Sequence, residues 1–217
     1  MPVYNERHTI KRCVEEVLMA DVGNLEMEVI ISDNNSNDGT KEILSKINDT
    51  RVKILYRKEN NGKGANIKNA LKEASGDLIL FQDGDLEYSP NDYLDLLEPF
   101  FLFNADVVYG SRLTRAKATA MIGFPNYIAN ILFTLVANFL FNKIFTDIAT
   151  GSKVFKKDII KNLEITSDGF EIEPEITAKY LEIKKLRYLK SQLQLILKGM
   201  MKEKKLSGGI FLLIYII

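Results

Sequence analysis

The sequence contains one cysteine and one histidine among 217 residues, and each scarcity removes a class of function. The lone Cys13 has no partner for an internal disulfide, so a reducing, cytosolic setting is the simpler reading. Ile10, Val14, Val17 and Leu18 recur around it at helical spacing, which marks it as a buried structural thiol rather than a nucleophile. The lone His8 excludes His-rich metal sites and most Ser/His catalysis, and reads as a surface residue near a helix start. An excess of one charge is also lacking. Lys+Arg and Asp+Glu both number 29, so no global field argues for nucleic acid as a partner. Long apolar runs are missing as well, since none reaches the ~20 residues of a membrane span. The segment 128–141 is interrupted by Asn130 and Asn138, and the closing run 210–217 is short. Met1 leads straight into Pro2-Val3-Tyr4-Asn5-Glu6 without the apolar stretch of a signal peptide. At this length a single domain with a sizeable core is expected.

What is present alternates between strand and helix patterns at short spacing. Apolar positions at helical intervals over 6–20 precede a β-branched run over 27–32, which ends in the polar turn Asp33-Asn34-Asn35-Ser36-Asn37-Asp38-Gly39. A helix over about 39–47, a strand over 52–56, a helix from Gly62-Lys63-Gly64 through Ala74 and a strand over 77–82 follow. Pro90 opens a helix reaching about Phe103, with Pro99 expected to bend it, and 106–109 is a further strand. This order predicts an α/β fold with a mainly parallel sheet and right-handed crossovers. Ligands of such sheets sit at the carboxyl ends of the strands, where the polar clusters 33–38 and 83–87 both fall.

The most informative stretch is Leu78-Ile79-Leu80-Phe81-Gln82-Asp83-Gly84-Asp85-Leu86-Glu87-Tyr88-Ser89-Pro90. Two aspartates separated by one small residue, directly after an apolar strand, put hard oxygen ligands at a strand tip. Such ligands suit Mg²⁺ or Mn²⁺, which take carboxylates together with substrate phosphate oxygens. An Asp-x-Asp alone is more often the solvated turn that caps a helix; its place after an apolar strand and before Leu86-Glu87-Tyr88-Ser89-Pro90 is what points to metal chemistry. Gly62-Lys63-Gly64 invites a phosphate-loop reading, but the full Gly-x-x-x-x-Gly-Lys-Ser/Thr pattern is absent. It reads as a close-packed loop near the phosphate-bearing ligand that the strand tips would take, and Lys63 is counted among the residues that bind it.

Taken in order, several motifs carry a resemblance. They are Met1-Pro2-Val3-Tyr4-Asn5-Glu6, the Ser32 to Thr40 turn, Asn61-Gly62-Lys63-Gly64, the Gln82 to Pro90 stretch, Asp106 to Arg112, Thr146 to Phe155, and Phe170-Glu171-Ile172-Glu173-Pro174-Glu175. Together they resemble a family 2 glycosyltransferase of the GT-A fold, and are especially similar to the dolichol-phosphate mannosyltransferase-like branch that glycosylates polyprenyl phosphates. The resemblance spans about residues 1–185, read as the catalytic domain, with 186–217 an atypical tail. It implies that Pro2, Tyr4, Asn5 and Glu6 line the nucleotide pocket and that Asp33 accepts a hydrogen bond from the base. Where the family usually has a second aspartate this chain has Asn34. The resemblance further implies that Asp83 and Asp85 handle the metal and the sugar diphosphate, that Glu87 joins the metal shell, and that Arg112 stabilises phosphate charge with its planar fork. GDP-mannose and UDP-glucose are both reasonable donors.

The acceptor decides the mechanism. A polyprenyl phosphate brings its own anionic oxygen, so inverting displacement needs positioning and charge stabilisation but no strong base. A sugar hydroxyl on a polysaccharide or glycan needs a carboxylate base, for which Asp147 and Glu173 are the candidates. An inactive, nucleotide-binding remnant is the non-enzymatic alternative. The Phe-, Leu- and Ile-rich stretch 124–145 reads either as a core helix or, by the resemblance, as an amphipathic element near a membrane and the lipid acceptor. Arg112, Arg115, Lys117 and Lys143 stand nearby to meet anionic headgroups. The resemblance implies a protein peripheral to the cytoplasmic face of a membrane.

Two departures from the family stand out. Relatives carry an apolar strand before Pro2, which here is represented by Met1 alone, so the first strand is expected to be short. Near the end the family expects Glu-Val-Pro-Ile and later Glu-Gly-Lys-Lys-Ile. Permitted codons for Leu189 to Leu193 and for Gly199 to Gly208, read two bases later, restore both motifs. The expectation is therefore a frameshifted tail, which the coding DNA decides, and weak or absent activity for want of the family's phosphate-binding arginine.

Overall fold

The computed structural model describes residues 1–110, 124–141, 144–148, 150–182 and 188–190. Two small sheets and the helices against them make up this part of the chain. The first sheet contains β1 (Pro2–Val3), β2 (Val29–Asp33) and β3 (Val52–Tyr56), all parallel in the order β1-β2-β3. Between them run α1 (Ile10–Leu18) and α2 (Thr40–Leu44), followed by α3 (Lys63–Glu73). The helical spacing in α1 does what it predicts: Ile10, Cys13, Val14 and Val17 are all buried. Every residue of β2 is buried, as expected of a strand with parallel neighbours and a helix on its face.

The second sheet has the order β4-β6-β5-β7, from β4 (Leu78–Leu80), β5 (Val107–Tyr109), β6 (Lys153–Lys156) and β7 (Tyr188–Lys190). Here β6 lies antiparallel between β4 and β5, while β7 runs parallel to β5. Among the described residues three of the five strand pairings are thus parallel, and the inserted β6 is the exception to the expected alternation. The pairing of β7 carries the sheet past residue 185 into the segment read as an atypical tail; residues 191–217 lie outside the described residues. A short 3₁₀ turn at Pro90–Asp92 leads into α4 (Tyr93–Leu102), which continues through Pro99. The remaining helices are α5 (Phe124–Phe141), α6 (Lys157–Asn162) and α7 (Ile172–Glu182).

One core joins α1 and α4 to the first sheet around Cys13, Ile31, Leu44 and Leu96. The other gathers Phe81, Tyr109, Phe155 and Tyr180 with Ile172 and Ile176 of α7. Its rings meet in tilted and edge-on pairs 5.6–6.2 Å apart. The short β1 pairs with β2 only through Pro2↔Ser32 and Val3↔Asp33. A cleft of about 560 Å³, with Met1, Ile30, Leu78, Leu80 and Gln82 in its walls, runs between β2 and β4 beyond its start. Among the described residues, no helix is long and apolar enough to cross a membrane.

Candidate functional site

The loops leaving the carboxyl ends of β1, β2, β3 and β4 are bound to one another by side chains. Asn5, in a left-handed conformation (φ 56°), donates its backbone N–H to Ser36 Oγ at 2.9 Å and accepts from Asn37 N through Oδ1 at 2.9 Å. Glu6 N donates to Thr40 Oγ1 and Arg7 N to Asp38 Oδ2. Asn5 and Glu6 therefore knit the β1–α1 loop to the β2–α2 loop, and Tyr4 beside them is exposed. Pro2 stays within β1.

Asp33 ends β2 fully buried. Its Oδ2 accepts from Ser36 N at 3.1 Å, whereas Oδ1 has no hydrogen-bond partner among the described residues. A buried acceptor left in that state costs about 1–3 kcal/mol, which a donor on a ligand can recover. The carboxylate is sealed from solvent, so a ligand reaches it only by parting the loops. Next to it, Asn34 Nδ2 donates to Asn60 Oδ1 at 2.6 Å and Gly62 O at 3.2 Å, and Asn61 N donates to Asn34 Oδ1 at 3.3 Å. The asparagine that replaces a carboxylate of the family pattern thus fastens the β3–α3 loop to the tip of β2.

Gly62 and Gly64 pack against the backbone before α7. A Cβ on Gly62 would fall 2.3 Å from Asp168 O, and one on Gly64 would fall 2.5 Å from Ser167 O. Gly64 N and Ala65 N donate to Gly169 O and Asp168 O. These first amides of α3 are already bonded to carbonyls, so the close-packed reading holds and the backbone there forms no anion cradle. Lys63 enters the site by its side chain instead. Its ammonium lies 2.9 Å from Asp83 Oδ1 and 3.3 Å from Glu173 Oε1. Burial alone would lower its pKa, but the two carboxylates outweigh burial and hold it above the usual lysine range.

Asp83 and Asp85 stand on a loop pinned at both ends. Gln82 Nε2 donates to Asp83 O at 3.0 Å and Tyr88 O at 3.1 Å, while Tyr93 Oη donates to Gln82 Oε1 at 2.9 Å. Between the pins, Leu86 adopts φ 65°, costly for a branched side chain, and Glu87 N donates to Asp85 Oδ1 at 3.0 Å. Glu87 itself is exposed. Gly151 supports the loop from below: its N–H donates to Tyr88 Oη at 2.7 Å, and a Cβ on it would fall 2.4 Å from Asp83 Oδ2.

Glu173, at the start of α7, is 7% exposed and lies between Lys63 and the fully buried Lys153, whose ammonium also donates to Thr150 O at 2.5 Å. Burial opposes its ionisation, but Lys153 and then Lys63 outweigh that and keep it below the ordinary glutamate range. Asp147 is buried elsewhere, accepting from Asn130 Nδ2 of α5 at 2.9 Å. Arg112 and its basic neighbours lie outside the described residues. The fold therefore brings Asp83, Lys63 and Glu173 into one cluster, and sets Asp147 against α5.

Sequence reading missed Gln82, Tyr88, Gly151 and Lys153 as parts of this site. Lys153 had a signal: a lysine in the apolar strand pattern Lys153-Val154-Phe155 must be paired if that strand is buried.

Among the described residues, no three His, Cys, Asp or Glu side chains converge on a closed metal site. Two aspartates at a strand tip supply the few carboxylate oxygens that Mg²⁺ or Mn²⁺ takes from a protein when phosphates and water complete its shell. The residues fit a cation shared with a diphosphate, not an all-protein cage.

Fold and site together define an α/β protein with a cluster of charged side chains near its strand tips, and comparison with known proteins gives it a lineage. The model of glycosyl transferase family 2 matches residues 1–163, and the chain belongs to that family. The glycosyltransferase AglJ of Haloferax volcanii is 27% identical over 179 residues, covering 82% of this chain and 56% of that protein. The dolichol-phosphate mannosyltransferase of Pyrococcus furiosus is 26% identical over 182 residues, with 82% and 51% covered. The chain spans about half the length of these curated relatives. Among solved structures, mannosyl-3-phosphoglycerate synthase from Rubrobacter xylanophilus superposes with a TM-score of 0.68 at 16% identity, covering 98% of this chain and 76% of that one. Glucosyl-3-phosphoglycerate synthase from Mycobacterium tuberculosis, in complex with Mn²⁺, uridine diphosphate and glucosyl-3-phosphoglycerate, gives 0.64 at 17% identity, with 87% and 66% covered. These likenesses establish the GT-A fold.

Proposed function

We propose that this chain is the catalytic domain of an inverting glycosyltransferase that moves a sugar from a nucleotide-diphosphate donor of the GDP-mannose or UDP-glucose type to a polyprenyl phosphate at a membrane surface. On this reading Asp33, with Pro2, Tyr4, Asn5 and Glu6 around it, takes the nucleoside, and Lys63 lies beside the diphosphate. Asp83 and Asp85 hold Mg²⁺ or Mn²⁺ with Glu87 at the loop edge, and Arg112 meets phosphate charge. The metal, when bound, supplies positive charge to the departing diphosphate. The protein's own part is to orient the donor's anomeric carbon towards the acceptor oxygen and to exclude water from it.

The observation that carries the acceptor half is α5. Its polar side chains face the protein: Asn130 and Thr134 are buried, with Asn130 on Asp147 and Thr134 Oγ1 accepting from Ile148 N at 3.3 Å. Asn138 brackets Phe145 with two backbone hydrogen bonds. Five of its apolar side chains face outward: Leu132, Phe133, Leu135 and Val136 are each more than half exposed, and Phe139 is 87% exposed, while the small Ala137 packs inward. A helix turned inside out in this way is unfavourable in water and favourable against acyl or prenyl chains. The acid–base chemistry agrees. Two lysines hold the Glu173 pKa below the ordinary glutamate range, which makes it a weak base for the proton of a sugar hydroxyl. A phosphate acceptor needs none.

The test is transfer of labelled sugar from GDP-mannose and UDP-glucose to dolichyl and undecaprenyl phosphate with Mn²⁺. The expected product partitions into organic solvent. Label that remains water-soluble on a glycan would replace the lipid acceptor, and Mn²⁺-dependent nucleotide binding with no transfer would mark a binding remnant.

A further inference from the structure

Four charged side chains stand in alternation across the site: Asp83, Lys63, Glu173 and Lys153. The outer end is fixed, because Lys153 is fully buried and also bound to Thr150 O, and Gly151 next to that carbonyl is in contact with Asp83. Lys63 is held at its backbone by the packing of Gly62 and Gly64 on 167–169. Its side chain is shared between two carboxylates at 2.9 and 3.3 Å. A divalent ion on Asp83 would face the Lys63 ammonium in a partly buried site, where repulsion between like charges is strong. Glu173 already accepts that ammonium, so Lys63 can leave Asp83 without becoming unpaired, and a diphosphate adds negative charge that favours the move.

Building on the metal-and-diphosphate reading, we propose that Lys63 is a built-in counter-cation: it occupies Asp83 while the site is empty and withdraws to Glu173 when a divalent ion and a nucleoside diphosphate enter. Lys63 is then a positioning residue that suppresses metal binding in the absence of nucleotide and makes the two ligands bind cooperatively, each tightening the other by the same factor.

Mn²⁺ binding, followed by electron paramagnetic resonance of the free ion, tests this with and without UDP or GDP. In Lys63→Met, nucleotide-free Mn²⁺ affinity should rise about tenfold or more, since the competing charge is gone, and the enhancement by nucleotide should shrink. Lys63→Arg keeps the charge and should bind Mn²⁺ as weakly as the unaltered protein. Lys68→Met, which removes a charge further along α3, should leave the affinity unchanged. Equal Mn²⁺ affinity in the Lys63→Met and unaltered proteins overturns the inference alone, as does an equal gain in Lys68→Met. Absence of Mn²⁺ binding in every form, nucleotide present, overturns the metal reading beneath it. Should Lys63→Met fail to give a cooperative melt, lysine side-chain NMR of the unaltered protein decides. The Lys63 signal should move when Mg²⁺ and nucleotide are added together, and an unmoved signal at saturation refutes the exchange.

Discussion

The Asn34 amide donates to two oxygens of the 60–62 loop and accepts from Asn61 N, so both of its ends are used. An aspartate has the same shape but no donor, and would press an anionic oxygen against Asn60 Oδ1 and Gly62 O. Asn34→Asp is therefore expected to lose about 1–3 kcal/mol of stability, the cost of unmaking such bonds in a partly buried setting. Urea denaturation measures it, and an unchanged midpoint would show that the loop does not depend on the staple. The same residue shows what single positions disclose in a sequence. Asp33, Asp83 and Asp85 stood out in the sequence as candidates because they follow apolar strands and fall in motifs that resemble the family's. Asn34 was legible only as a departure from the family pattern, because its value depends on which oxygens the next loop brings to it.

At the scale of an element, α5 separates two readings that its composition leaves equal. Eighteen residues rich in Phe, Leu and Ile would serve either a core or a membrane surface. Burial of Asn130 and Thr134 and exposure of Phe133 and Phe139 favour the surface. Replacing Phe133 and Phe139 with serine should leave the melting temperature unchanged or raise it, while co-sedimentation with vesicles of anionic phospholipid and undecaprenyl phosphate falls severalfold. Were these rings core residues, each truncation would cost about 3–5 kcal/mol, and a large drop in melting temperature would count against the lipid-facing assignment. Other elements were plain from pattern alone. The strand over 52–56 and the buried face of α1 follow from period and β-branching. The antiparallel β6 did not, because the direction in which a strand enters a sheet leaves no mark in its own sequence.

Across the whole molecule, buried or bonded carboxylates tie distant segments together and set its response to acid. Glu175 accepts from Thr166 N, Thr166 Oγ1 and Ser167 N and pairs with Lys179. Burial raises its pKa, but these bonds outweigh burial and hold it well below the usual range. Glu173 is depressed by its lysines despite burial, and Glu28, which accepts from Ser75 and Gly76, is depressed by those bonds in the same way. In each case the unfolded chain takes up a proton at a higher pH than the folded one. The stability they contribute is present above about pH 4.5, the ordinary glutamate value, and is lost as pH falls below it. The melting temperature should fall steeply below that point. Glu175→Gln should melt lower at pH 7 and show a shallower acid limb. A flat profile down to pH 3.5 in the unaltered protein would contradict the assignment.

The sequence by itself determined the α/β alternation, the buried Cys13, the polar strand tips and the carboxylate pair after β4, because these depend on local period and on residue chemistry within a few positions. Tertiary structure alone decided that Lys63, Glu173 and Lys153, drawn from two helices and a strand, form one chain of charge with Asp83. It alone turned the polar face of α5 inward. Both outcomes depend on distances between segments far apart in the chain, and electrostatic pairing and burial take their sign from those distances.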